Sequence, residues 1–196
     1  MKEDRLGHHF FAVIGASGSG KTKVTEAVFP KEYKVISHTT RPMREGEASG
    51  VDYYFETEES FDALIASDSL VEHDVYNGYR YGVGVNDLLQ ATKNHLAYDA
   101  ITIDGFWSIK ERFGDQVIPI LLEVSKETAL SRLLERESDQ VVIKNRMALF
   151  EDEIKERDKI KACPTSRCID ANQPIEKVIA EMKKIVADYC ENELEK

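Results

Sequence analysis

The glycine-rich run Gly15–Thr22 has the residue types and spacing of a phosphate-binding loop. It satisfies the pattern G-x-x-x-x-G-K-[ST] in full with Gly15, Ala16, Ser17, Gly18, Ser19, Gly20, Lys21 and Thr22. The glycines let backbone N–H groups converge on a phosphate, which side chains would obstruct. Lys21 can reach the β- and γ-phosphates of a nucleotide, and the Thr22 hydroxyl can ligate Mg²⁺. The run therefore predicts an ATP site with Mg²⁺ as cofactor and Lys21 as a catalytic residue.

A pair of arginines indicates a second anion site. Arg41 and Arg44 are three residues apart, so both guanidinium groups can converge on one anion, and their planar forks match phosphate oxygens. The same segment carries acids that could pair with these arginines and leave only a solvated loop. Those acids are Glu45, Glu47 and Asp52. The residues alone leave open whether an acceptor phosphate or a set of surface ion pairs lies here.

Short apolar runs alternate with helical patterns along most of the chain, and these elements must position both groups. Strands are predicted at 10–14, 33–37, 98–103 and 117–124, and helices at 21–29, 58–66, 87–94, 126–136, 141–161 and 174–189. Apolar strands that alternate with helices predict an α/β fold with a parallel sheet covered by helices on both faces. The segment 37–83 does not fit this alternation. It is predicted to form an insertion, with a hairpin at 71–83 around Asn77-Gly78.

Composition and charge exclude several classes of protein. The 196 residues include 36 acidic and 26 basic side chains, a formal net charge of −10, so no nucleic-acid or anionic-membrane partner is expected. No apolar run approaches the ~20 residues of a membrane span, and the acidic start of the chain is unlike a signal peptide. Three cysteines without the spacing of a metal site predict reduced thiols and a cytoplasmic location. One domain is expected at this length.

From Ser37 to Phe55 the chain resembles the guanylate kinase family. The acceptor motif of that family, S-x-T-T-R-x-x-R-x-G-E-x-x-G-x-D-Y-x-F, is matched over the whole segment. The next family element, a glutamate followed by V-x-G-x-x-Y-G, is similar to Glu72 and residues 75–82, with one extra residue between valine and glycine. Farther along, Arg132 to Arg136 and Arg146 look like the lid arginines of the family. The resemblance extends from about residue 10 to residue 186, nearly the whole chain.

Carried onto this chain, the resemblance implies a binding site for the acceptor. The residues implied to hold the acceptor phosphate are Ser37, Arg41, Arg44, Tyr53 and Tyr81. Glu72 would accept the ring N–H and amino hydrogens of guanine, and a carboxylate suits this role because it offers only acceptors. Adenine presents an acceptor at its ring nitrogen, so a buried carboxylate would reject it.

The resemblance also implies the reaction and the parts that move. Arg136 and Arg146 would be catalytic residues that close over the transferring phosphoryl group, and Asp104 would be a strand-end aspartate near the acceptor. The activity would be ATP-dependent phosphorylation of GMP or dGMP, with ATP and GMP as the partners of a monomer or homodimer. The fold would be a P-loop kinase in a single domain, with its core at 8–36 and 84–190, an acceptor-binding insertion at 37–83 and a helical lid at 132–150.

Two positions depart from the family pattern and keep other functions open. Val83 stands where the family has a hydroxyl residue that contacts the guanine carbonyl, and Thr102 replaces the first aspartate of D-x-D-x-Q-G. Together with Ile-Asp-Gly at 103–105, these two residues make the sequence similar here to that of ribose 1,5-bisphosphate phosphokinases. Those enzymes phosphorylate a sugar phosphate that has no base. A guanylate-kinase-like interaction module is the other alternative. The intact Gly15–Thr22 loop argues against it.

Overall fold

The computed structural model of the chain describes residues 5–76, 78–136 and 138–194. Its strands, in chain order, are β1 (Phe10–Ile14), β2 (His38–Thr39), β3 (Tyr54–Phe55), β4 (Leu70–Tyr76), β5 (Tyr79–Gly84), β6 (Ala97–Ala100), β7 (Val117–Glu123) and β8 (Arg167–Asp170). Its α-helices are α1 (Lys21–Val28), α2 (Glu58–Ala66), α3 (Val85–Ala91), α4 (Ile103–Phe113), α5 (Lys126–Arg136), α6 (Gln140–Lys161) and α7 (Ile175–Leu194). None of the helices in the described ranges combines the length and apolar character that crossing a membrane requires.

The chain divides into two compact units. The first consists of Met1–Phe10 with Glu32–Val117, and the second of Phe11–Lys31 with Ile118–Lys196. The glycine-rich loop therefore belongs to the second unit. The arginine-containing segment belongs to the first.

Parallel strands form the centre of the second unit. β7 lies between β1 and β8 and runs parallel to β8, with Ile120 opposite Arg167 and Glu123 opposite Asp170. All of β1 and all but the last residue of β7 are buried, as expected of apolar strands that are covered on both faces. α1 packs against α7, α7 against β8, and α5 against α6. The predicted parallel sheet flanked by helices is thus confirmed.

A mixed four-stranded sheet forms much of the first unit, in the order β3-β2-β5-β4. β4 and β5 are antiparallel, with Tyr76 opposite Tyr79, and Gly78 between them has a φ of 80° that favours glycine. The hairpin predicted at 71–83 is therefore confirmed, although Asn77 lies outside the described residues. α2 begins at a capping box, in which Thr57 and Ser60 each bind the other's backbone N–H.

The strand predicted at 33–37 was wrong. A short 3-10 turn at Lys31–Tyr33 is followed by a single parallel bridge between Lys34 and Tyr98. Within this segment the Val35 N–H donates to the carbonyl oxygen of Tyr98 on β6, at 2.9 Å. One backbone bond does not sustain a strand, so this segment is irregular.

The strand predicted at 98–103 ends earlier, because a helix that the sequence reasoning missed begins there. β6 stops at Ala100, and the Thr102 hydroxyl accepts a hydrogen bond from the Gly105 N–H at 3.1 Å, which caps the start of α4. The buried apolar residues of α4 are spaced along one face, at 103, 106, 109 and 113. An N-cap threonine followed by this spacing was the local signal for the helix.

A buried histidine joins β2 to α3 and to the residue that follows β3. On β2, His38 Nδ1 lies 2.9 Å from Glu56 Oε1, and His38 Nε2 lies 3.2 Å from Asp87 Oδ2. Burial alone would lower the pKa of His38. The hydrogen bonds from Asp87 and Glu56 and the charges of both acids outweigh burial and raise that pKa above 6.5. The resulting stabilisation is complete below pH 6.5 and is lost as the pH rises through the folded-state pKa.

We therefore expect the free energy of unfolding to fall more steeply as the pH rises above 6.5 in the wild type than in a His38→Gln variant. Urea unfolding at several pH values measures the two slopes. His73→Gln, at an exposed position on β4, is the matched control and should follow the wild type. Equal slopes for His38→Gln and the wild type would show that the imidazole is not charged in the fold.

Candidate functional site

The glycine-rich loop joins β1 to α1, the strand-loop-helix order that its motif requires. Gly18 and Gly20 have φ values of 87° and 91°, a region that residues with side chains rarely adopt. Gly18 also lies against α5, since a Cβ there would be 2.8 Å from the Ala129 carbonyl oxygen. The loop conformation therefore depends on glycine for backbone geometry at both positions and for close packing at one.

The loop carries a lysine that contacts its own backbone and a buried serine hydroxyl. Lys21 Nζ donates to the carbonyl oxygen of Gly15 and lies 3.4 Å from that of Ala16. Ser19 is buried, and its hydroxyl oxygen has no hydrogen-bond partner within the described ranges. A buried hydroxyl without a partner is costly, so a ligand atom is expected beside it.

The donor set near the loop fits a magnesium ion that is held jointly with phosphate. Thr22 is exposed in the first turn of α1, and a hydroxyl with phosphate oxygens is the hard oxygen set that Mg²⁺ prefers. Across the described part of the chain, no group of three or more His, Cys, Asp or Glu side chains could hold a metal. An ion bound here would therefore depend on the nucleotide for most of its ligands.

Arginines of the second unit lie on α5 and α6. Arg132, which lies in the run that resembles the lid arginines but was given no role of its own, donates to the Gly18 carbonyl oxygen at 3.2 Å and to that of Ala171 at 2.9 Å. Its signal was its position one helical turn before Arg136. Arg146 Nε is buried without a hydrogen-bond partner in the described segments. Arg136 ends α5, and its side chain lies outside what the structure describes.

In the first unit, the carboxylate of Glu47 accepts hydrogen bonds from both predicted arginine positions. Arg41 is 6% exposed, and its two terminal nitrogens lie 2.8 and 2.9 Å from the oxygens of Glu47. The backbone N–H of Arg44 donates to the same carboxylate at 2.8 Å, whereas the Arg44 side chain is exposed. The hydrogen bond from Arg41 lowers the pKa of Glu47. Of the three acids that could compete for the arginines, Glu47 is thus paired with Arg41. The contact is bidentate and mostly buried.

Two tyrosines predicted to bind phosphate lie beside Arg41. The rings of Tyr53 and Tyr81 are 6.0 Å apart in an edge-to-face contact, and the Arg41 guanidinium is 5.3 Å from the centre of the Tyr53 ring. Burial, followed by the charge of Asp99, raises the pKa of Tyr53. The Tyr53 phenol therefore stays neutral and able to donate hydrogen bonds near neutral pH.

The predicted base-binding residue is a buried acid on β4. Glu72 is 9% exposed and lies opposite Val83 on β5, so their side chains share one face of the hairpin. A Cβ at Gly105 would lie 2.7 Å from Glu72 Oε2, so α4 passes close to this carboxyl group and a side chain at 105 would require the carboxyl group to shift. Burial, then the charges of Asp99 and Asp74, raise the pKa of Glu72 to about 8, against a hydrogen bond from the Val83 backbone that lowers it.

The expected position of Asp104 at the end of a strand was wrong. Because Thr102 caps α4, Asp104 lies in the first turn of this helix and is exposed. The buried acid of this region is Asp99 on β6, which is 5% exposed and accepts a hydrogen bond from the Ser37 hydroxyl. Sequence reasoning missed Asp99. Its only signal was a lone charge inside a short apolar run.

Comparisons with known proteins place the chain among guanylate kinases. The family model described as guanylate kinase matches residues 8–189. The chain is 36% identical to the guanylate kinase of Enterococcus faecalis over 148 residues, which cover 71% of this chain and 72% of that protein. It is 32% identical to the guanylate kinase of Mycoplasma pneumoniae over 184 residues, 90% of this chain and 74% of that protein. The fold is similar to the crystal structure of guanylate kinase from Anaplasma phagocytophilum, with a TM-score of 0.67, 23% identity, and coverage of 94% of this chain and 88% of that one.

Proposed function

The chain belongs to the guanylate kinase family, and from this premise we propose that it transfers the terminal phosphoryl group of ATP to GMP or dGMP. The products are ADP and GDP or dGDP. A guanine acceptor is supported above all by the burial of Glu72. Its carboxyl group forms no ion pair with any described residue. A buried acid without a cationic partner needs a ligand that donates hydrogen bonds.

Base recognition follows from the hydrogen-bonding pattern of the two purines. An ionised Glu72 accepts from the ring N–H and the amino group of guanine, which are adjacent donors. Adenine would turn a ring acceptor toward the same carboxylate and leave both groups unpaired. An unpaired buried polar group costs about 1–3 kcal/mol, so adenine is rejected.

The acceptor phosphate is bound by side chains whose charge and hydrogen bonds offset the repulsion between two anionic substrates. Arg41 supplies a buried positive charge, and Glu47 holds its guanidinium in a fixed orientation. Hydroxyl donors complete this group, and Arg44 adds charge from the surface. The hydroxyl donors are Tyr53, Tyr81 and Ser37, and the single hydroxyl hydrogen of Ser37 would have to turn from Asp99 to the phosphate.

The donor nucleotide is bound by the glycine-rich loop. Its backbone N–H groups and the Ser19 hydroxyl bind phosphate oxygens, and Lys21 stabilises the charge of the phosphoryl group in transfer. Thr22 would hold Mg²⁺ together with phosphate oxygens, and the ion supplies further positive charge there. The acceptor oxygen is already ionised near neutral pH, so no general base is required.

We assign closure of the site over the transferring phosphoryl group to the helical lid at 132–150. Arg136 and Arg146 close over the transferring phosphoryl group, and closure excludes the water that would otherwise hydrolyse ATP. The buried, unpartnered Nε of Arg146 supports its share of this role. The whole chain acts as one kinase domain with the acceptor-binding insertion at 37–83, in the cytoplasm, as a monomer or homodimer.

A screen of acceptors with Mg-ATP tests the proposal. GMP and dGMP should be phosphorylated with far higher kcat/KM than AMP or UMP in an assay coupled to ADP formation. Ribose 1,5-bisphosphate belongs in the same screen, because the buried Val83 beside Glu72 offers no hydroxyl to a base. A preference for this sugar phosphate would indicate the second candidate function, a ribose 1,5-bisphosphate phosphokinase, and contradict guanylate kinase activity. No Mg-ATP binding in equilibrium dialysis would indicate an interaction module.

Val83→Ser should improve the use of GMP. A hydroxyl on the face that carries Glu72 can donate to the guanine carbonyl, and one such bond contributes about 1 kcal/mol, or roughly a fivefold lower KM. Steady-state kinetics with GMP as the varied substrate measures the change. Val83→Ala is the matched control, since it removes similar apolar volume without adding a donor. If the serine variant is no better than the alanine variant, position 83 does not contact the carbonyl.

A further inference from the structure

His38 lies on an inner strand of the mixed sheet, and the proposed mechanism gives it no role. Its strand β2 has two residues and pairs with β3 on one side and with β5 on the other. His38 is 9% exposed, and its ring lies 4.8 Å from that of Tyr54 on β3. So short a strand forms few backbone hydrogen bonds, and side-chain contacts therefore contribute much to fixing its position.

Both nitrogens of the His38 ring face carboxylate oxygens. Nδ1 lies 2.9 Å from Glu56 Oε1, and Nε2 lies 3.2 Å from Asp87 Oδ2. An ionised carboxylate only accepts hydrogen bonds, so the two contacts together require a hydrogen on each nitrogen. A ring with two N–H groups is the charged imidazolium. The distances alone thus indicate a protonated His38, and a neutral ring would turn a lone pair toward one of the acids.

The surroundings hold both acids in place. Asp87 lies in the first turn of α3, and a Cβ on the preceding Gly84 would collide with Asp87 Oδ2 and lie 3.3 Å from His38 Nε2. The second oxygen of Glu56 accepts from the Ser60 hydroxyl. Burial would raise the pKa of Glu56, but the hydrogen bonds from Ser60 and His38 outweigh it and lower that pKa. Glu56 is therefore ionised beside the imidazole.

The elements that the imidazole joins adjoin the residues assigned above to the acceptor phosphate. Ser37 precedes β2, Tyr53 precedes β3, and Tyr81 lies on β5 opposite Thr39. Arg41 follows β2, and its backbone N–H donates to the Thr39 hydroxyl at 3.1 Å. The acceptor residues are thus spread over three neighbouring strands, and their relative positions depend on how β3, β2 and β5 are held together.

Given the proposed kinase function, on which this inference rests, we propose that His38 is a positioning residue for the acceptor phosphate. As an imidazolium bound to Glu56 and Asp87, it ties β2 to the end of β3 and to the helix that follows β5. When the ring loses its proton to solvent, one contact with a carboxylate becomes repulsive and opens. The acceptor site then loosens. The glycine-rich loop belongs to the second unit and keeps its affinity for ATP.

Three titratable side chains among the described residues face His38, and they set the direction of the pH dependence. Glu56 follows β3, Tyr54 lies on β3, and Asp87 lies on α3. Burial lowers the pKa of His38, but the two acids outweigh burial and raise that pKa above 6.5. Both contacts are therefore complete at pH 6.5, and one is lost as the pH rises through the folded-state pKa.

Asp87→Asn tests the proposal, because an amide can bind either form of the imidazole. Its oxygen accepts from a charged ring, and its NH₂ group donates to the lone pair of a neutral one. The ratio of the wild-type KM for GMP to that of Asp87→Asn should therefore rise about fivefold as the pH rises above 6.5, the effect of one lost hydrogen bond. Taking this ratio cancels the titration of GMP and of Glu72, which both proteins share. Initial rates with GMP varied at saturating Mg-ATP measure it.

His38→Gln is the second variant and decides the proposal if Asp87→Asn does not fold. A glutamine can donate to only one of the two acids. Its KM for GMP should be about fivefold above the wild-type value at pH 6.5 and should meet that value at high pH. His73→Gln, at an exposed position on β4, is the matched control and should follow the wild type. The KM for ATP should be the same in every variant.

The possible failures are distinguishable. KM ratios for GMP that stay constant with pH would overturn the positioning role of His38 and leave the proposed kinase activity intact. A parallel rise in the KM for ATP would also overturn it, because His38 would then act on the fold as a whole. An absence of GMP turnover, with Mg-ATP bound normally, would overturn the guanine acceptor and the positioning role together.

Discussion

Replacing Lys21 with alanine is expected to lower kcat by about 10³-fold while the fold is retained. The ammonium group lies at the glycine-rich loop, where it contacts the carbonyl oxygens of Gly15 and Ala16. In the proposed reaction this charge would stabilise the phosphoryl group as negative charge shifts during transfer, so its loss would act on the transition state. A coupled assay of ADP formation with Mg-ATP and GMP measures the loss.

Lys23→Ala is the matched control for this variant. Lys23 is exposed on the same helix, two residues farther along, and its removal should leave kcat within about twofold of the wild type. Far-UV circular dichroism and Tm should be the same for both variants and the wild type. Turnover by Lys21→Ala at more than a tenth of the wild-type rate would contradict the role of the loop.

Arg41→Met is expected to raise the KM for GMP about tenfold and to lower kcat by at least as much. In the proposed reaction the buried guanidinium charge would act on the acceptor phosphate in both the ground state and the transition state, so both constants should change. Glu47 would lose its partner, but its side chain is 20% exposed and can be hydrated, so the fold should survive. Initial rates with GMP varied at saturating ATP measure both constants.

Arg80→Met is the control for loss of an arginine in the same unit. Arg80 lies near the surface, 2.7 Å from Asp62 and 3.2 Å from Glu58, and surface ion pairs contribute little. Its replacement should leave both constants nearly unchanged. The KM for ATP should also be unaffected by Arg41→Met. An unchanged KM for GMP in Arg41→Met would show that the acceptor phosphate binds elsewhere.

Elements governed by local chemistry were predicted from the sequence with close bounds. Helices were expected at 58–66 and 126–136 and are found at those bounds. The hairpin was predicted because Asn-Gly favours a tight turn between two alternating runs. The glycine-rich loop was recognisable because its conformation depends on glycines at fixed spacing, and Gly18 and Gly20 do have positive φ.

Predictions failed where packing overrides a short apolar run. The segment 98–103 is apolar enough for a strand, but Thr102 caps a helix whose apolar face is buried, and Asp104 is carried into its exposed first turn. The segment 33–37 was expected to extend as a strand, yet only one of its residues forms a parallel bridge. Short runs do not distinguish a buried strand from the start of a buried helix.

The sequence by itself determined the phosphate-binding loop, the arginine-containing segment, the hairpin and the family, because each depends on residue types at short, fixed spacing. Only the tertiary structure showed that Glu47 pairs with Arg41 and that Glu72 and Asp99 are both buried. The protonation of an acid depends on burial and on nearby charges. For Glu72 those charges include one that lies 27 positions away in the chain (99 − 72) and is brought close only by folding.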